Sequence, residues 1–217
     1  MTEHGTAHLP TRLGAAGAGL ALAALLAACG TAGPASTGSP SPSPTPTVST
    51  SPSPAPTPTP VSIAIPDCEQ LLPLATARTI FSPSTEYLGE VSLSGSGFVL
   101  GSDAATTAAS AADPYRGCSW GIPNSDGVFW LYVGVLDSAE VAALEAGLTA
   151  DGFTSATTGT VTGYDQLGST EVSDWAATHL VTGGAWIACE GPAASVTGQA
   201  TGAALDAMRA ANPSAGL

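Results

Sequence analysis

The side chains best suited to catalysis in this 217-residue chain stand close together in sequence, at Ser173, Asp174 and His179. A serine hydrolase needs a histidine that accepts the serine proton and a carboxylate that orients that histidine. His179 is the only histidine after residue 8, so a triad in the body of the chain must use it. A hydrolase that uses His179 with a nearby serine and aspartate is therefore one hypothesis.

Other features of the sequence argue against catalysis. No G-x-S-x-G turn is present, and Gly95-Ser96-Gly97 belongs to a stretch rich in glycine and serine. After Cys29 there is no C-x-x-C or H-x-x-x-H spacing for a metal, and the chain has no phosphate-binding glycine loop. We therefore expect no catalytic residue, no metal and no cofactor.

A different chemistry is predicted near the start of the chain, where a cysteine follows an apolar run. Residues 13–28 are all Leu, Ala or Gly, a length of about sixteen that suits a signal peptide better than a transmembrane helix. The segment Leu26-Ala27-Ala28-Cys29-Gly30 resembles the lipobox of bacterial lipoproteins. The resemblance implies a signal peptide at 1–28 and a lipid with fatty acyl (palmitate) chains on Cys29. This lipid would anchor the protein at the extracytoplasmic face of the cell membrane.

The lipidated cysteine is followed by a segment that cannot form a core. Residues 29–60 consist almost entirely of Ser, Thr, Pro, Ala and Gly, with prolines alternating with hydroxyl residues. Such a composition predicts a disordered, extended stalk. The remaining residues, 61–217, have the length of one domain.

The charge of the chain excludes one class of partner. Its net charge is −13, and it contains no lysine. Because nucleic acid is strongly anionic, an acidic domain is repelled by it, and we expect no nucleic-acid binding. The acidic residues are scattered along the sequence, which is typical of a solvated surface.

The pattern of residues 61–217 predicts a single α+β domain in which about three helical regions pack against an antiparallel sheet. Capping signatures at Asp67 and Asp137 predict helix starts, and Ser195 is the predicted cap of the last helix. Strands are predicted at the apolar or β-rich stretches 98–100, 118–120 and 128–136, and around Phe153, Val161 and Val172. An Ala-rich helix is predicted at 103–112, between the first two of these strands.

One hairpin is predicted residue by residue. Gly183-Gly184 suits a type I′ turn between strands 175–182 and 185–189. Counting outward from the turn pairs Thr182 with Ala185 and places His179 and Trp186 on the same face of the sheet.

Three cysteines remain in the domain, Cys68, Cys118 and Cys189, and an exported domain is expected to oxidise two of them. Three pairings are open. Cys68 begins a helix and Cys118 begins a strand, which favours a bond between them. Cys189 lies inside a strand and has the character of a small buried residue. The pairings through Cys189 stay open on these grounds.

The motifs together resemble a family of uncharacterised actinobacterial cell-envelope lipoproteins. They are the lipobox, the stalk, Pro66-Asp67-Cys68-Glu69-Gln70-Leu71-Leu72 and Gly117-Cys118-Ser119-Trp120. In that family an Asp-Pro-Cys-like helix opens the domain, and a Cys-x-Trp strand follows. The resemblance implies an envelope location and a Cys68–Cys118 bond, and it implies no activity. Here Pro66 precedes Asp67 instead of following it, and Cys189 lies outside the pattern.

The four tryptophans bear on the choice of function, since all are on predicted strands. They are expected in the core or at sheet edges, and an exposed pair could stack on a sugar or a peptide. They are Trp120, Trp130, Trp175 and Trp186. We therefore expect a non-catalytic binding, sensory or structural module with a cell-wall or envelope-protein partner and an unidentified ligand. An envelope hydrolase that uses His179 is the alternative.

Overall fold

The computed structural model describes residues 62–93, 100–169 and 173–217. The helices are α1 (Cys68–Leu71), α2 (Leu74–Ile80), α3 (Asp103–Ala111), α4 (Ser138–Ala150) and α5 (Ala194–Ala211). The strands are β1 (Glu86–Glu90), β2 (Tyr115–Gly121), β3 (Val128–Val135), β4 (Thr154–Thr158), β5 (Val161–Ser169), β6 (Asp174–Thr182) and β7 (Ala185–Gly191). They form the predicted single α+β domain with an antiparallel sheet.

All seven strands belong to one sheet with the order β1-β2-β3-β7-β6-β5-β4. The first three strands form a meander, and helix α4 then carries the chain from the middle of the sheet to its far edge. The last four strands return as a second meander, so that β7 pairs with β3 in the centre. This closing pairing joins parts of the chain that are far apart in sequence.

Helices cover both faces of the sheet. On one face α1, α2 and α5 pack on side chains such as Trp120, Leu131 and Ile187. On the other face α3 and α4 pack on side chains such as Tyr132 and Trp186. Strand β3 contributes to both cores because its successive side chains alternate between them, as its uninterrupted apolar run predicts.

The local signals for the hairpin and for α4 are confirmed. Thr182 pairs with Ala185 across the Gly183-Gly184 turn, whose φ angles are 54° and 84°. Asp137 Oδ1 accepts hydrogen bonds from the amides of Ala139 and Glu140 at 2.8 and 2.9 Å. Each of these features depends only on residues close together in sequence, which is why the sequence predicts them.

Two local expectations were wrong. Helix α5 begins at Ala194 with Ala193 as its N-cap, and Ser195 lies within the first turn. Strand β1 was not predicted, because Gly89 and the surrounding polar residues give no alternating apolar pattern. It forms instead by pairing with β2, where the register shifts between Tyr87 and Gly89.

The structure contains the disulfide Cys68–Cys118, with the two Cα atoms 5.7 Å apart. It joins α1 to β2 within the core that α5 covers. Arg116 lies two residues before the bond and forms an ion pair with Asp67 at 3.2 Å. Helix α1, which has only four residues, is therefore held to the sheet both covalently and electrostatically.

Several predictions fall outside the described residues. These are the signal peptide at 1–28, the lipidated Cys29, the stalk at 29–60, most of the strand at 98–100, and Val172.

Candidate ligand-binding site

The α3–α4 face of the sheet is not covered along its whole length. At one end, where β7 finishes and β3 and β6 begin, the helices leave a cleft of about 550 Å³. This volume is in the range of small-molecule sites. We call it the Trp130–Trp175 cleft, after the two indoles that line it together with Glu190. Asp126 and Asp174 line it as well.

The cleft continues on the other side of Trp175 into a shallower hollow of about 600 Å³. Asp174, Trp175 and Pro192 line both spaces. The hollow also exposes Leu167, a large apolar residue that is 72% accessible. A ligand that fills the cleft can therefore extend along the edge of the domain.

Glu190 supplies the polar group of the cleft. It pairs with Trp130 on β3 and with Ala177 on β6, so it lies in the central strand between the two neighbours. Its Oε1 atom is buried and accepts no hydrogen bond from the described residues. Burial raises the pKa of the Glu190 carboxyl to about 8. At neutral pH this carboxyl is therefore mainly protonated.

Two glycines make room for these side chains. Gly101 has a φ of +62°, and a Cβ atom added to it would lie 3.1 Å from Glu190 Oε1 and 3.5 Å from Trp175 Cζ3. Gly168 pairs with Trp175 across β5 and β6, and a Cβ atom there would overlap the indole ring. The position of Trp175 thus depends on the absence of a side chain at Gly168.

His179 lies on the same face of the sheet, inside the core. Its Nδ1 accepts a hydrogen bond from Trp186 Nε1 at 3.2 Å, and the two rings stack with centroids 6.1 Å apart. The ring of Phe153 meets the imidazole edge-on at 5.0 Å. Burial lowers the pKa of His179 to about 3, so the imidazole is neutral at physiological pH.

The hydrolase hypothesis obtains no geometric support. Asp174 stands five residues before His179 on the same strand, which corresponds to about 16 Å along β6. Ser173 and Asp174 line the cleft, whereas His179 is fully buried. The imidazole therefore contacts aromatic rings where a triad would place a serine and a carboxylate.

Cys189 is the free cysteine of the three, as the Cys68–Cys118 bond requires, and it is fully buried. Burial raises the pKa of its thiol, with the nearby Glu190 as a smaller cause. A buried thiol that resists ionisation is a poor nucleophile. Within the residues that the structure covers, no group of three His, Cys, Asp or Glu side chains could hold a metal ion.

The tryptophans divide into two pairs. Trp120 and Trp186 are fully buried, one in each core. Trp130 and Trp175 are partly exposed and share the cleft. The sequence indicated that two tryptophans could form an exposed pair. It did not indicate which two these are or that the Glu190 carboxyl lies between their strands. The sequence did indicate the direction of the Glu190 side chain. Glu190 follows Trp186 and Ala188 at alternate positions of β7, so the three side chains point to the same face of the sheet.

A scan against protein-family models found no match, and searches of curated proteins and of solved structures found none either. Among the described helices, none is both long and apolar enough to cross a membrane.

Proposed function

We propose that this protein is a lipid-anchored, extracytoplasmic binding module of the cell envelope, without catalytic activity. The Trp130–Trp175 cleft is its binding site, and a small ligand or an exposed part of a wall polymer or envelope protein is its partner. The lipid on Cys29 holds the domain at the cell membrane, and residues 29–60 act as the stalk.

The anchor rests on the sequence around Cys29. The apolar run, the small residues before the cysteine and the uncharged proline-rich segment after it all fit the signal and stalk of a lipoprotein. The Cys68–Cys118 disulfide is consistent with this location, because such bonds persist mainly in oxidising compartments.

The binding role rests on one observation, the grouping of two partly exposed indoles with Glu190, whose Oε1 atom is buried, in a cleft of about 550 Å³. Indoles exposed to water cost free energy, and so does a buried carboxyl oxygen that accepts no hydrogen bond from the described residues. A ligand that covers the rings and bonds to Glu190 recovers part of that cost. The contacts of His179 support the absence of catalysis.

The anchor is tested by intact mass of the protein extracted from membranes, with Cys29→Ala as the control variant. We expect the mature chain to start at Cys29 with added lipid mass, and the variant to lack both. A mature chain that starts elsewhere and carries no lipid contradicts the anchor.

The cleft is tested by tryptophan emission and thermal unfolding of the full chain with a panel of amines, alcohols, sugars, carboxylates and peptides. We expect one class to change both signals in a saturable way. Trp175→Ala should weaken this response, and Leu88→Ala, an exposed apolar position on β1, should leave it unchanged. If no class binds, or if Trp175→Ala binds as wild type does, the cleft is not the binding site.

A further inference from the structure

We propose that the Trp130–Trp175 cleft selects an organic ammonium cation, which the two indoles enclose and Glu190 neutralises. This inference rests on the proposed binding function and specifies the chemical class of the ligand.

The charges around the cleft favour a cation. Among the described residues, the acidic residues that line it are Asp126, Asp174 and Glu190. The whole chain carries 17 acidic residues against four arginines and no lysine. A cleft bordered by charges of one sign attracts ligands of the opposite sign and raises their local concentration.

The arginines within the described residues are engaged elsewhere. Arg78 donates to the carbonyl of Thr85 at 3.0 Å, and Arg209 donates to that of Leu217 at 2.9 Å. Arg116 pairs with Asp67 at 3.2 Å beside the disulfide. None of these described arginines lines the cleft, so none of them is a counter-ion for Glu190.

The indoles add a contact that discriminates between charged and uncharged ligands of the same shape. A cation near the face of tryptophan is attracted by the negative charge density of the ring, and the attraction grows where water is excluded. Trp130 and Trp175 line one cleft with Glu190 between their strands. An ammonium group in that space meets aromatic rings and a carboxyl together.

Glu190 is suited to accept such a group because its Oε1 has an unused acceptor site. An ammonium N–H can donate a hydrogen bond to this oxygen, and its charge stabilises the carboxylate. Binding then converts the neutral carboxyl to a carboxylate, and the proton passes to the solvent. The charges balance, because one positive charge enters the cleft and one proton leaves it. An anionic ligand would instead meet Glu190 in a cleft bordered by the acidic residues Asp126 and Asp174.

The test compares two ligands that share a carbon skeleton, cyclohexylmethylammonium and cyclohexylmethanol, binding to the full chain at pH 7. We expect the amine to bind at least tenfold more tightly than the alcohol. Calorimetry in buffers of different ionisation enthalpy should detect close to one proton released for each amine bound. The alcohol should release none.

Variants identify the groups responsible. Glu190→Gln keeps the shape of the protonated side chain, and it should remove the preference for the amine and the proton release while the alcohol binds as before. Trp175→Leu should weaken amine binding about tenfold. Asp174→Asn, at the rim, should change it less than threefold. Thermal unfolding of each variant confirms that it is folded.

The outcomes separate this inference from the proposed function. If the alcohol or a sugar binds as tightly as the amine, the cleft binds ligands but does not select cations, and this inference is wrong. If the amine preference survives Glu190→Gln, Glu190 is not the counter-ion. If no proton is released, binding does not convert a protonated Glu190 to a carboxylate, and that step of the inference is wrong. If no member of the wider panel binds, the proposed function itself fails.

Discussion

The two ends of the α3–α4 face of the sheet have similar residues in different surroundings. Each contains aromatic rings near a side chain that can titrate below pH 9, His179 at the closed end and Glu190 at the cleft. At the closed end, Trp186 and Phe153 pack against the imidazole and fill the space. At the cleft, the side chains leave about 550 Å³ next to the carboxyl.

The comparison separates two consequences of burying an ionisable group. At both ends burial favours the neutral form, lowering the pKa of His179 to about 3 and raising that of Glu190 to about 8. His179 has no space beside it for a counter-ion, so its neutral state is part of the core. Glu190 has such space, so its state can change when a ligand arrives. The same physical effect therefore keeps a core residue neutral at one end and, on the proposed function, prepares a binding group at the other.

The largest expected difference between the two ends is in packing. Trp186→Ala removes a fully buried indole and should lower the free energy of unfolding by about 3–5 kcal/mol. Trp175→Ala removes a partly exposed one and should cost roughly 1–2 kcal/mol. Urea unfolding of both variants measures this. Equal losses would mean that the cleft is packed as firmly as the core.

The next effect is the acid sensitivity that His179 confers. Below its ordinary pKa of 6.5 the unfolded chain binds a proton, whereas the native imidazole resists protonation down to about pH 3. Stability is therefore lost as pH falls through this window, with a contribution of about 3 kcal/mol by pH 4.

His179→Gln tests this contribution, because glutamine can accept the Trp186 hydrogen bond but does not titrate. Unfolding free energies at pH 7 and pH 4 should differ less in the variant than in wild type. The same loss in both proteins would show that other groups cause the acid sensitivity.

A smaller effect of opposite sign is expected at the cleft. Between pH 4.5, the ordinary pKa of a glutamate, and about pH 8, the native Glu190 retains a proton that the unfolded chain has lost. Stability therefore falls as pH rises through this window, by about 2 kcal/mol after allowance for solvent at the open side. Glu190→Gln should abolish this decline in urea unfolding at pH 5 and pH 8. Glu86→Gln, at an exposed position on β1, is the control and should keep it.

The smallest expected effect concerns Gly101, which lies next to the Glu190 carboxyl. Gly101→Ala puts a side chain on a backbone with φ +62° and close to Glu190, which should cost about 1 kcal/mol. Gly198→Ala in α5 is the matched control, since it has open space and should gain a few tenths to 1 kcal/mol. A neutral Gly101→Ala in thermal unfolding would mean that the segment before α3 adjusts easily.

The sequence by itself determined the features that depend on near neighbours. The turn at Gly183-Gly184 sets which residues of β6 and β7 pair, and therefore that His179 and Trp186 share a face. Asp137 and Glu140 define the start of α4 within three residues. The Cys68–Cys118 bond was one of three pairings until the fold placed α1 against β2.

Only the tertiary structure determined which residues come together to form the cleft. Trp130 and Glu190 are sixty positions apart and meet because the second meander returns to pair β7 with β3. Gly101 reaches the same carboxyl from the segment before α3, outside the sheet. Which indole is covered depends on where α3 and α4 end over the sheet, and no local pattern encodes this. The sequence therefore supplied the aromatic and acidic side chains, and long-range strand pairing and helix packing determined which of them line the cleft.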